Sequence, residues 1–112
     1  MKVAVPMAGG LLCMHFGHCE KFMIFEVEKE NAKIVSHEEL VPPPHEPGLL
    51  PRWLAEKGVK LVIAGGMGQR AQDIFGSCGI NVITGAPAVN AELVVLNWLE
   101  GSLETGSNAC DH

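Results

Sequence analysis

Apolar and polar residues alternate with a period of two along the first third of the chain. The alternation runs through Lys2–Met7, stops at the small residues 8–10, and resumes over Lys21–Glu28 and Lys33–Val41. β-branched and aromatic residues fill many of the apolar positions, and Glu30–Asn31 separates the last two runs, which is typical of strands joined by a tight turn. The pattern therefore predicts three strands, of which the second and third form a hairpin.

The rest of the chain changes to a helical period that short apolar runs interrupt. Four prolines within residues 42–48 cannot continue a helix or a central strand, so this segment is predicted to be a stiff loop. Beyond it, apolar stripes at helical spacing alternate with short strand-like runs, and glycines at 58 and 79 supply stops. The predicted elements are a helix containing Leu50, Trp53 and Leu54, a strand Lys60–Ala64, a helix containing Ala71, Ile74, Phe75 and Cys78, a strand Ile80–Thr84 and a helix Ala88–Glu100.

The resulting order βββαβαβα predicts an α/β fold with a mixed five-stranded sheet. An antiparallel hairpin is extended by parallel strands, and right-handed crossovers place helices over the faces of the sheet in three layers. This arrangement matches a ribonuclease H-like fold. One domain is expected over residues 1–101, followed by a polar tail over residues 102–112.

Composition narrows the classes of protein to consider. The 112 residues are 47% hydrophobic and 19% charged, which suits one globular core. The net charge of −5 argues against a nucleic-acid partner, because such binding relies on clustered Lys and Arg. No apolar run is long enough to cross a membrane, and the N-terminus lacks the pattern of a secretory signal. A cytoplasmic protein is expected.

The densest chemistry lies in one short loop, where two thiols and two imidazoles fall within seven positions. Cys13, His15, His18 and Cys19 are soft or borderline ligands that favour zinc, copper or iron–sulfur species over magnesium or calcium. Their spacing does not match the paired cysteines of structural zinc modules. The loop is therefore expected to need ligands from elsewhere in the chain.

Two other segments offer such ligands. His45 lies in the proline-rich loop, just before the first helix, although exposed loop histidines are common on composition alone. Cys110 and His112 form a Cys-x-His ending, which an untethered terminus would explain equally well. These three residues join the first loop as candidate metal ligands.

A glycine-rich loop is the remaining candidate contact for a cofactor. Gly66 and Gly68 belong to the run Gly65–Gly68, which opens a predicted helix, so backbone N–H groups there can receive an anion. The run lacks the Lys-Ser/Thr of a phosphate-binding loop and the full dinucleotide fingerprint. A tight strand-to-helix turn explains the same glycines.

Four segments together resemble the dinitrogenase iron-molybdenum cofactor-binding family. They are KVAVP, HFGHCEKFMIFEVE, HEPGLLPRWLAEKGV and GGMGQRAQDIFGSCGINVITG, and they span nearly the whole chain to about Glu100. The resemblance implies a ribonuclease H-like protein that binds or carries a metal–sulfur cluster and is not an enzyme. It also implies that His15, Phe16 and Gly17 of the His-Phe-Gly segment, with His45, lie near an iron-molybdenum or related iron–sulfur cofactor.

Two other functions compete with this hypothesis. A simple zinc- or copper-binding module would use the same ligands. A ribonuclease H-like nuclease would need paired carboxylates, and Lys2–Met7 contains none. For a carrier, the expected partners are cluster donor or acceptor proteins, without nucleic acid or membrane, and the chain is expected to be a monomer or a weak homo-oligomer.

Overall fold

A computed structural model describes residues 1–44 and 48–106 of the chain. Its helices and strands follow the predicted order, with ends shifted by up to three residues. The last helix begins at Ala91 because the Asn90 side chain caps it, accepting a 2.8 Å hydrogen bond from the Glu92 N–H. The elements are β1 (Lys2–Ala8), β2 (Leu11–Leu12), β3 (Lys21–Glu28), β4 (Lys33–Leu40), α1 (Leu49–Glu56), β5 (Val59–Ile63), α2 (Gln69–Ser77), β6 (Asn81–Ile83) and α3 (Ala91–Glu100), with a 3₁₀ turn at Phe16–His18.

The sheet is mixed, as predicted, and its strand order is β4-β3-β1-β5-β6. β3 is antiparallel to both β1 and β4, whereas β5 is parallel to β1 and β6. The prediction of five strands was wrong, because β2 pairs with the end of β1 and makes a sixth. Gly9 and Gly10 have φ values of 60° and 81°, which allow a two-residue hairpin turn at the point where the sequence indicated only a break.

Two hydrophobic clusters lie on opposite faces of the sheet. On one face, Phe22 and Ile24 pack with Leu54 of α1 and Phe75 of α2. On the other, Val5 and Phe25 belong to the cluster that includes Val94 and Val95 of α3. The described chain therefore forms three layers, with α1 and α2 on one face of the sheet and α3 on the other. No helix in the described ranges is both long and apolar enough to cross a membrane.

The protein is expected to stay folded without metal. Both clusters consist of side chains that are almost fully buried, and neither includes a histidine. Folding free energy then comes from apolar burial and not from metal binding, in contrast to small zinc domains. The far-ultraviolet circular dichroism and the urea midpoint of the purified protein should be unchanged by a strong chelator. Loss of secondary structure after chelation would contradict this assignment of the core.

Candidate functional site

The loops that carry the candidate ligands leave the sheet from a single edge. The carboxyl end of β1 lies beside the start of β3, where Met7 pairs with Lys21. The carboxyl end of β4 lies at the same edge, because Leu40 pairs with Phe22. β5 and β6 run parallel to β1 and end there too. The connection from β1 to β3, which contains β2 and the first loop at residues 13–20, therefore shares one edge of the sheet with the loops after β4, β5 and β6. We call this edge the loop edge.

The first loop is anchored at this edge by its backbone and by one aromatic ring. The Cys13 N–H donates to the Pro6 carbonyl at 2.8 Å. Phe16 is 7% exposed, and its ring meets those of Phe22 and Phe75 edge to face, with centroids 6.0 and 5.5 Å away. This anchor turns the neighbouring residues His15, Gly17 and His18 outward, and all three are exposed. The two histidine rings lie 6.1 Å apart.

The two thiols of the loop lie in different surroundings. Cys13 is 5% exposed, and its Sγ donates to the His15 carbonyl oxygen at 2.9 Å. Cys19 is half-buried at the border of the core. Burial, reinforced by repulsion from Cys13, raises the pKa of Cys19 from its ordinary 9.0 to about 11. A metal that binds Cys19 therefore has to displace a tightly held proton.

The raised pKa of Cys19 predicts a distinctive pH dependence. Its alkylation by iodoacetamide should accelerate by roughly tenfold per pH unit and level off only near pH 11. Because the pKa in the folded state exceeds the ordinary 9.0, the folded protein holds the Cys19 proton more tightly than the unfolded chain does. The free energy of unfolding should therefore keep its full value below pH 9 and fall as the pH rises towards 11. Cys13→Ser should lower this pKa only modestly, because burial is its larger cause. A rate plateau below pH 9 would contradict the prediction.

The glycine-rich loop after β5 supports the first loop from beneath. A Cβ atom on Gly65 would lie 2.9 Å from the Met14 Cα and 3.1 Å from the Cys13 carbonyl oxygen. The Gly66 carbonyl accepts a 2.9 Å hydrogen bond from the Phe16 N–H. Gly65 and Gly66 are buried, so they act here as a platform for the first loop. Gly68 is exposed and directly precedes α2, at a helix start that has no side-chain cap.

The loop after β6 and the last described residues join the same arrangement. The Gly85 N–H donates to the Gly65 carbonyl at 2.7 Å, and the Gly106 N–H donates to the Gly85 carbonyl at 2.7 Å. Gly85 has a φ of 82°, and a Cβ there would overlap the Gly106 carbonyl. Gly65 and Gly85 were not among the predicted site residues. The only available signal was a glycine directly after a predicted strand.

The structure places the candidate ligands of the first loop at the loop edge without assembling them into a metal site. Among residues 1–44 and 48–106, no three His, Cys, Asp or Glu side chains lie close enough to hold a metal ion together. β1 itself carries no carboxylate. His45, Cys110 and His112 lie outside the described residues. Within the described chain, the exposed or half-buried donors of the first loop are His15, His18 and Cys19.

Comparison with known proteins identifies one matching family and several similar proteins. The family described as "Dinitrogenase iron-molybdenum cofactor" matches residues 1–101. An uncharacterised protein of Methanocaldococcus jannaschii is 33% identical over 110 residues, which cover 93% of this chain and 90% of that protein. The crystal structure of the protein PH0822 superimposes with a TM-score of 0.88 at 28% identity over the full length of both chains. The apo orange protein of Desulfovibrio gigas shares the fold, with a TM-score of 0.71 at 20% identity over 96% of this chain and 93% of its own.

Proposed function

This chain belongs to the dinitrogenase iron-molybdenum cofactor family, and from that premise we propose that it binds and carries a metal–sulfur cluster as cargo. The cargo is an iron-molybdenum cofactor or a related iron–sulfur or molybdenum cluster, and the protein holds it without catalysing a reaction on it. The main support for the proposal is the arrangement at the loop edge. Backbone hydrogen bonds there connect the first loop, the loops after β5 and β6 and the last described residues, next to the imidazole and thiol donors of the first loop.

The donor chemistry of the first loop fits such a cluster. Imidazole and thiolate bind iron and other soft or borderline metals, and His15, His18 and Cys19 offer both kinds of ligand at the loop edge. Cys13 is buried beneath the loop and is hydrogen-bonded to the His15 carbonyl, so its thiol would need to rotate outward to reach the same metal. His15 and Cys19 are therefore proposed as the primary ligands, with His18 and Cys13 as further ones.

Backbone contacts complete the proposed site. Gly17 is exposed beside the two histidines, and Phe16 holds the turn in place from below. Gly66 fixes the loop through its carbonyl, while Gly68 opens α2, whose first N–H groups suit the negative charge that such clusters commonly carry. We propose that these residues position the cluster and that the side chains of the loop ligate it.

The C-terminal residues and His45 are proposed as additional ligands. From Gly106, which is bonded to the loop edge, Cys110 is four residues away, and an extended chain of that length reaches roughly 14 Å. Along the chain, His45 lies between β4, which ends at the same edge, and α1, which begins at Leu49. Ligands from three segments would supply the coordination that one short loop lacks.

Releasing the C-terminal residues should weaken cluster retention. Gly85→Ala introduces a side chain at a left-handed φ and into the Gly106 carbonyl, so the 102–106 segment should detach. The cluster should then dissociate roughly tenfold faster, because a chelating ligand is lost. Dissociation can be followed by transfer of the bound metal to a chelator. Gly79→Ala, at a glycine that also has a left-handed φ of 79° but whose Cβ would meet nothing within 4 Å, is the matched control. An unchanged rate in Gly85→Ala would remove the tail from the ligand set.

Anaerobic loading tests the proposal. Apo protein is mixed with an isolated iron-molybdenum cluster or with iron, molybdate and sulfide, then separated from unbound metal and assayed for molybdenum, iron, sulfide, zinc and copper. Co-elution of molybdenum or iron together with sulfide is the expected result. Binding of zinc or copper alone would contradict it.

Three further points belong to the same proposal. The strand order, with one antiparallel hairpin and parallel crossovers, supports classing the fold as ribonuclease H-like. Proteins that donate or accept the cluster are the proposed partners, and the carrier is proposed to act as a monomer or a weak homo-oligomer. A cytoplasmic location is proposed because a reducing compartment would keep Cys13 and Cys19 available as thiols.

A further inference from the structure

A cleft of about 310 Å³ opens on the α3 face of the sheet, beside the loop edge. Its walls are the turn between β1 and β2, the first residues of β3, part of β4 and the start of α3. Met7, Met23 and Phe25 form an apolar floor, because alternate residues of β1 and β3 point to this face. The cleft is separate from the Phe16 anchor, which packs on the opposite face of the sheet.

Carboxylates dominate the rim of this cleft. Glu20, Glu39 and Glu92 all line it, and the basic side chains among the lining residues are Lys21 and His37. Lys21 forms an ion pair with Glu39, so these two charges balance. Glu20 accepts a 2.8 Å hydrogen bond from the Gly9 N–H, and Glu92 is exposed in the first turn of α3. Neither carboxylate forms an ion pair with a described residue. Two negative charges therefore remain above a thioether and aromatic floor.

We infer that this cleft receives an arginine or lysine side chain from a partner protein. An aliphatic stem can cover the floor formed by the methionines while its cationic head stays at the rim beside Glu20 and Glu92. The cleft is large enough to admit one long side chain, and the carboxylates of Glu20 and Glu92 would repel an anionic metal–sulfur cluster. The net charge of −5 favours the approach of a basic partner surface over long range.

The cleft lies next to the first loop along the chain. Glu20 follows Cys19 directly, and its N–H donates to the Met7 carbonyl at 2.7 Å. A partner side chain in the cleft would therefore contact residue 20, one position along the chain from the proposed ligand Cys19. That this partner exchanges a cluster rests on the proposed function, whereas the choice of a basic side chain rests on the cleft alone.

Peptide binding to the apo full-length protein tests the inference without any cluster. The ¹⁵N-labelled chain is titrated with acetyl-Gly-Arg-Gly-amide and with the same peptide carrying citrulline, the neutral analogue of arginine. Saturable shifts of the Gly9, Gly10 and Asn90 amides are expected with the arginine peptide, and binding of the citrulline peptide should be roughly tenfold weaker. Equal affinity for both peptides, or shifts confined to other parts of the chain, would overturn the inference.

Charge-removing variants and a free amine ligand test the same inference further. Glu20→Gln and Glu92→Gln should each weaken arginine-peptide binding roughly three- to fivefold, and glutamine at 20 can still accept the Gly9 hydrogen bond. Glu100→Gln, at the far end of the same helix, should have no effect. Unchanged affinity in both cleft variants would refute the assignment. Tighter binding of free agmatine than of the peptide would overturn the protein partner and indicate that the cleft binds a small amine instead.

Discussion

Replacing His15 and Cys19 together by alanine is expected to reduce cluster retention at least tenfold while leaving the protein folded. The two side chains bring an imidazole and a thiol to the loop edge, and the loss of two ligands from a soft metal removes most of its coordination. His15 is exposed and Cys19 half-buried, so the free energy of unfolding should fall by about 1 kcal/mol or less. Metal and sulfide analysis after loading, together with urea unfolding, measures both effects.

A matched double variant separates ligand loss from general damage. His37 is an exposed histidine on β4, and Cys78 is a partly buried cysteine that packs against the same core cluster as Cys19. His37→Ala with Cys78→Ala therefore removes the same two side-chain types away from the first loop. This control should load like the natural protein. Equal loading by both double variants would show that His15 and Cys19 do not hold the cluster.

Gly65→Ala is expected to have the second largest effect, although it adds only one methyl group. The new Cβ would lie 2.9 Å from the Met14 Cα and 3.1 Å from the Cys13 carbonyl, so backbone atoms would have to move. Overpacking of this kind costs about 1–3 kcal/mol. The first loop should shift away from the Gly66 carbonyl that anchors Phe16, and cluster binding should weaken with it.

The control for this substitution is another glycine nearby in the chain. Gly76 lies within α2, and its Cβ would meet nothing within 4 Å. Gly76→Ala should leave the urea midpoint unchanged or raise it slightly, because alanine favours helix. If Gly65→Ala unfolded at the same urea concentration as the natural protein and loaded fully, the close contact between the two loops would not be a functional constraint.

The sequence predicted the strands and helices because their periods are local properties. Alternation in β3 and the apolar stripe of α2 each follow from neighbouring residues, and both elements form close to where they were expected. β2 was missed because two residues are too short to show a period. Its existence depends on the positive φ values of Gly9 and Gly10 and on pairing with Met7 and Ala8.

The candidate site could be predicted only in part, for a related reason. The soft donors of the first loop are visible as residue types, but their exposure depends on Phe16 packing against Phe75, which lies far along the chain. The roles of Gly65 and Gly85 arise from close approaches between loops, and no local pattern encodes such distances. The raised pKa of Cys19 likewise follows from burial and from the proximity of Cys13.

Cysteine footprinting tests the central claim most directly. The full-length protein, with and without loaded cluster, is alkylated at several times, and the modification of each cysteine is measured by mass spectrometry. Cys78, at the end of α2, serves as the internal reference. We expect the cluster to slow alkylation of Cys19 and Cys110 at least tenfold and to leave the rate at Cys78 unchanged. Equal rates for Cys19 with and without the cluster would contradict the assignment of the first loop as the cluster site.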